Sequence, residues 1–129
     1  MNEHAPFQPK ARILFVDDEF RCSRMLEVAF PRYEIRIENH PSRAIETAIE
    51  FQPDLIFLDR IMPDLAGDTL SLAIKAHPKL QNVPIIFLTA AVPRESNGRP
   101  HTQLNGCPVL SKPISNLALE KCIRRFVNR

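Results

Sequence analysis

Apolar positions along the chain fall into two alternating patterns. Compact apolar runs at 12–16, 33–37, 55–58, 85–88 and 108–110 predict strands. The run Leu-Ile-Phe-Leu at 55–58 has no polar alternation, which fits a strand covered on both faces, as in a parallel sheet. Segments of helical period lie between the runs. The first, about 19–30, is expected to bury Met25, Leu26, Ala29 and Phe30. The second, from 41 or 42 to 51, carries the stripe Ala44, Ile45, Ala48 and Ile49, and Pro41 suits its first turn. A third, 67–76, turns Leu70, Ala73 and Ile74 inward, enters through Gly67 and stops ahead of Pro78. The last, from 115 or 116 to 127, opens on a capping residue and offers Leu119, Ile123, Phe126 and Val127 to the core. Strands and helices alternating at this length predict an α/β fold, a doubly wound sheet with right-handed crossovers.

One slot breaks the alternation. Residues 90–106 include Pro93, Ser96, Asn97, Gly98 and Pro100. An interior proline costs a helix about 3 kcal/mol, so the expectation is an irregular or mobile loop, with at most a helical turn around 101–104. Residues 1–10 lack periodicity and read as a flexible tail ahead of a single domain, 11–129. The last predicted helix ends close to Arg129, so no output domain is expected after it.

Composition narrows the function. The 129 residues hold 17 basic and 15 acidic side chains, a formal charge of +2. That balance argues against nucleic acid or a membrane surface as partner. No apolar run has membrane-spanning length and the first ten residues lack a signal-peptide core, so the cytoplasm is the expected location. Cys22, Cys107 and Cys122 form no C-x-x-C pair and suggest neither a disulfide framework nor a zinc site. His4, His40, His77 and His101 have no ligand spacing. Lys121, Arg124, Arg125 and Arg129 read as the solvated face of the last helix.

The candidate chemistry sits where the strands end. Asp17 and Asp18 follow the first run, Asp59 the third, Thr89 the fourth and Ser111-Lys112-Pro113 the fifth. A parallel sheet brings such ends to one edge, where ligands of open α/β folds bind. Carboxylates about 4 Å apart repel by roughly 4 kcal/mol at an effective dielectric near 20. Three of them call for a cation, and hard oxygen ligands suit Mg²⁺. Asp59, flanked by the acid pair and by Thr89 and Lys112, suits a nucleophile towards phosphorus, because phosphoryl transfer needs positioning and charge neutralisation.

The ordered motifs Val-Asp-Asp-Glu at 16–19, Leu-Asp-Arg-Ile-Met-Pro-Asp at 58–64 with Gly67, Leu-Thr-Ala at 88–90 and Ser-Lys-Pro at 111–113 resemble the receiver domains of two-component response regulators. The likeness, which extends to the single-domain chemotaxis regulator, covers residues 11 to about 127. It implies a flavodoxin-like, five-stranded parallel sheet in the order 2-1-3-4-5, whose fourth helix the prolines and glycine of 90–106 leave short or disrupted. It implies Asp59 as phosphoacceptor and Asp18, Asp59 and the Ile61 carbonyl as direct Mg²⁺ ligands, with Asp17 acting largely through water. Thr89 matches the switch hydroxyl and Lys112 the phosphate-contacting lysine. Pro113 follows that lysine where the family often has a cis bond, and the sequence leaves the isomer open. The implied donors are a histidine kinase or a histidine phosphotransfer protein, and an unidentified downstream protein receives the signal. The chain is expected to be a monomer or weak dimer, catalysing only its own phosphorylation and dephosphorylation.

Three features depart from that pattern. Val109 stands three before the lysine, where an aromatic switch is usual, and a β-branched aliphatic has no ring to swing. Ile61 and Ala91, two past Asp59 and Thr89, offer nothing to orient water, which predicts slow self-dephosphorylation. The 90–106 segment replaces a regular helix on a face that often serves dimerisation or output, and it is a candidate for ordering on phosphorylation or partner binding. Two other readings compete. A haloacid dehalogenase-type phosphatase would want a second acid where Ile61 stands. A receiver-like binding module would work without phosphorylation.

Overall fold

The computed structural model describes residues 9–19 and 23–127. Most of the expected tail, Cys22, Arg129 and the first turn expected of the first helix lie outside the described residues. The elements run β1 (Ala11–Val16), α1 (Ser23–Ala29), β2 (Tyr33–Glu38), a 3-10 turn (Pro41–Arg43), α2 (Ala44–Phe51), β3 (Leu55–Leu58), α3 (Gly67–Ala76), β4 (Ile85–Thr89), β5 (Gln103–Leu104), β6 (Cys107–Ser111) and α4 (Asn116–Phe126).

Among the described residues the sheet has six strands in the order β2-β1-β3-β4-β6-β5. The first five in that order are parallel and correspond to the five predicted strands. Two expectations for the 90–106 slot are corrected. The sheet has a sixth strand, β5, antiparallel to β6, and residues 103–104 are extended where a loop with at most a helical turn was expected. The reason is local. Asn105 and Gly106 have φ of 53° and 76°, the two positive values that a tight two-residue hairpin turn needs. Ahead of it, residues 93–101 form a tongue stitched by His101 N–H to the Pro93 carbonyl and Gly98 N–H to the Glu95 carbonyl.

Alternating strand residues divide the core. Leu14, Val16, Ile56, Leu58 and Phe87 pack beneath α2 and α3 with Leu70 and Ile74, and the hairpin contributes Cys107 to the same side. Ile13, Phe15, Leu55, Phe57, Ile86 and Leu88 pack against Leu26 and Phe30 and against Leu119 and Ile123 of α4. Burying a side chain of this size contributes about 1.5–3 kcal/mol, so this double layer fixes the strand register. Two stripes differ from expectation. In α1 Leu26 is buried, as is Phe30 just after it, while Met25 and Ala29 are exposed. In α3, Ser71 takes the buried place expected of Ala73 and satisfies its hydroxyl on the Asp68 carbonyl at 2.8 Å. Helix boundaries follow their signals: Gln52 closes α2 in a left-handed conformation, and Ser115 Oγ caps α4 by accepting from Ala118 N–H at 3.0 Å.

Candidate functional site

The site forms because the register levels the strand ends. Val16 pairs with Leu58, so Asp17 and Asp59 emerge side by side, and Asp59 N–H donates to the Val16 carbonyl at 2.9 Å. Thr89 pairs with Ser111, and Lys112 N–H donates to the Thr89 carbonyl at 3.0 Å. The Lys112–Pro113 bond, left open by the sequence, is cis.

One carboxylate oxygen from each of Asp17, Asp18 and Asp59 lies within 4.8 Å of the others. At that separation each pair of charges repels by roughly 3–4 kcal/mol at an effective dielectric near 20. Asp17 and Asp59 are buried. Lys112 Nζ donates to Asp17 Oδ2 and stands 3.5 Å from Asp59 Oδ2. Burial alone would lower the Lys112 pKa. The hydrogen bond and charge of Asp17, with the charges of Asp59 and Glu19, outweigh it and raise the pKa above the ordinary lysine value. Three carboxylates against one ammonium leave two formal negative charges in the cleft.

Partners divide unevenly among the acids. Asp17 Oδ1 accepts from Glu19 N–H at 2.8 Å, and Asp59 Oδ1 accepts from Arg60 N–H at 2.7 Å. Asp18 Oδ1 is shielded from solvent yet has no hydrogen-bond partner among the described residues. A buried oxygen without a donor costs about 1–3 kcal/mol, more if charged. The donor set is all oxygen, the net charge is −2, and one oxygen is orphaned. The residues present fit a hard divalent cation.

Thr89 is buried, and its hydroxyl accepts from Ala91 N–H at 3.0 Å. Ile61 is 62% exposed beside the cleft. Gly67 shapes the cleft from behind. A Cβ there would fall 2.0 Å from the Asp59 carbonyl oxygen, so α3 packs against the Asp59 backbone only because this residue has no side chain. The role goes beyond the tight helix entry expected of it.

Sequence reasoning gave Arg60 no role. Its Nε faces both carboxylate oxygens of Asp68 at 3.2 Å, and its Nη1 donates to the Ala91 carbonyl at 3.0 Å. Eight positions separate Arg60 from Asp68 across an irregular loop, and no periodicity connects them.

The family model for the response regulator receiver domain matches residues 13–124. The response regulator PleD of Caulobacter vibrioides is 30% identical over 116 residues, 88% of this chain and 25% of PleD. This chain thus spans about a quarter of that relative's length. DivK, a polar-differentiation response regulator of Brucella anthropi, is 28% identical across 83% of this chain and 87% of its own. Among solved structures, a receiver domain of a Pseudomonas aeruginosa sensor histidine kinase, with magnesium coordinated in its active-site cleft, superposes with a TM-score of 0.74. It is 24% identical and covers 94% of this chain and all of its own. Chemotaxis protein CheY4 of Vibrio cholerae gives a TM-score of 0.74 at 23% identity, over 92% of this chain and 100% of its own. With its flavodoxin-like sheet and acidic cleft, the chain belongs to the receiver domain family of two-component response regulators.

Proposed function

We propose that this receiver takes a phosphoryl group from a phosphohistidine donor onto Asp59, with Mg²⁺ in the cleft, and thereby alters its binding to a downstream protein. The observation that carries the reading is the convergence of buried Asp17 and Asp59 and half-buried Asp18 with Lys112 at one sheet edge. Asp18, Asp59 and the Ile61 carbonyl would hold the ion, with Asp17 behind them. The ion supplies neutralisation of phosphoryl and carboxylate charge.

This chain's own residues do the rest. A carboxylate oxygen of Asp59 forms the new O–P bond as the N–P bond of the donor breaks, and the donor imidazole leaves with the electron pair and takes up a proton. Lys112, charged and already placed 3.5 Å from Asp59, neutralises a phosphoryl oxygen. The Thr89 hydroxyl turns from Ala91 N–H to a second oxygen, and that exchange is the conformational signal. No turnover beyond its own phosphorylation and dephosphorylation is ascribed to the protein.

A binding module that never accepts phosphate is the competing reading. A cluster of buried like charges is costly to maintain, which favours a use for it. The test is incubation with Mg²⁺ and a small acyl phosphate, followed by intact mass. One phosphoryl adduct, absent from Asp59→Asn, supports the switch. No adduct on the wild-type chain points to the module, and steady consumption of donor without adduct points to a phosphatase.

A further inference from the structure

Arg60 joins three parts of the site. Its backbone N–H donates to the Asp59 carboxylate, its Nε faces both oxygens of Asp68 in the first turn of α3, and its Nη1 holds the carbonyl of Ala91. Ala91 is gripped from its other side as well, because its N–H donates to the Thr89 hydroxyl. Ala91, two residues past the end of β4, is therefore fixed at both backbone polar groups, by Thr89 and by an arginine from the loop that bears Asp59. The side chain is 27% exposed, and its rigid planar fork presents separate N–H groups to the two acceptors.

We propose that Arg60 is a positioning residue that latches the turn after β4 in its resting place and so opposes the movement of Thr89 towards Asp59. The inference rests on the reading of Thr89 as the mobile hydroxyl. When Thr89 gives up Ala91 N–H for an oxygen on Asp59, the 89–91 turn loses one of its two fixings. Arg60 then remains as the restraint that the turn must break or strain. A contact made in the resting state and weakened in the other biases the equilibrium by its differential strength. The anchor on Asp68 keeps the guanidinium in place, so the restraint depends on both side chains.

The test uses beryllofluoride with Mg²⁺, a stable mimic of an aspartyl phosphate, titrated against the wild-type chain, Arg60→Met and Asp68→Asn. For a partly exposed hydrogen bond of this kind the expected effect is about three- to tenfold tighter binding in Arg60→Met. Asp68→Asn shifts the same way by less, and the two together are not additive. In a Thr89→Val background, Arg60→Met brings no further change. A second readout needs no ligand: the Ala91 amide exchanges its hydrogen faster in Arg60→Met than in the wild type. Unchanged or weaker beryllofluoride binding in a folded Arg60→Met overturns the latch. If Arg60→Met fails to fold, Asp68→Asn decides by the same criterion. If the wild-type chain binds no beryllofluoride, the phosphoacceptor reading has failed. The latch is then judged by Ala91 exchange alone, and unchanged exchange overturns it.

Discussion

At the scale of single residues, the chain places charge in buried positions and compensates most of it with named donors, Asp18 Oδ1 excepted. Glu38 shows this away from the cleft. It ends β2 with its carboxylate against the Thr47 hydroxyl and the His40 N–H. Burial alone would raise its pKa, but these two donors and the charge of Arg43 outweigh it and hold the value below the ordinary 4.5. A carboxyl with a depressed folded pKa stabilises the fold fully above its unfolded value, and the contribution is lost as pH falls through the folded value. Thr47→Val is therefore expected to lower stability by about 1–3 kcal/mol near neutral pH, with the gap from wild type narrowing below pH 4.5. Denaturant melts at several pH values check this; a gap that widens in acid contradicts it. The sequence made Asp17, Asp18, Asp59, Thr89 and Lys112 legible because each follows a strand, and strand ends share an edge. It left Glu38–Thr47 and Arg60–Asp68 hidden. Those pairs depend on side-chain reach across loops and turns, which carry no period.

At the scale of elements, regular strands and helices are readable from their apolar period; the error in element type falls where a turn decides, while the stripes of α1 and α3 differ only in which residues face inward. The 90–106 slot was read through its prolines, which correctly excluded a helix. The overlooked signal was Asn105-Gly106, a dipeptide suited to a two-residue hairpin. The turn is also fastened to α3: Asn105 Nδ2 donates to the Asp68 carbonyl at 3.1 Å and to Ser71 Oγ at 3.2 Å, and Lys75 Nζ donates to the Asn105 carbonyl at 2.6 Å. Asn105→Ala should cost about 1–3 kcal/mol and speed amide exchange in β5 and β6 before the rest of the sheet. Uniform exchange across the sheet would speak against this docking. Gly67→Ala addresses the other junction. A methyl 2.0 Å from the Asp59 carbonyl must push α3 or the Asp59 loop aside, so a cost of about 1–3 kcal/mol or more is expected. The Asp59 loop should be displaced with it, seen as slower phosphorylation even below the melting temperature. A stable, fully reactive Gly67→Ala chain would contradict the packing described.

At the scale of the whole molecule, two apolar layers clamp a parallel sheet so that one edge can hold charges that would otherwise repel. The sheet order and the receiver resemblance came from the motifs. The antiparallel sixth strand did not, because family likeness carries no information about a segment that departs from it. How long a phosphoryl group persists depends on access to that edge. Ile61, exposed and unable to orient water, predicts a long-lived adduct, and Ile61→Asn should shorten its life by about tenfold without changing stability. The decay of radiolabelled or mass-detected adduct checks this, and an unchanged lifetime contradicts it. The central claim is that Asp59 takes up the phosphoryl group in a cation-filled cleft. Borohydride reduction of the adduct followed by peptide mapping tests it most directly, because only an acyl phosphate is reduced to the alcohol. The account predicts conversion at Asp59 alone, dependent on Mg²⁺. Conversion at Asp17 or Asp18, or labelling that survives removal of the metal, would contradict it.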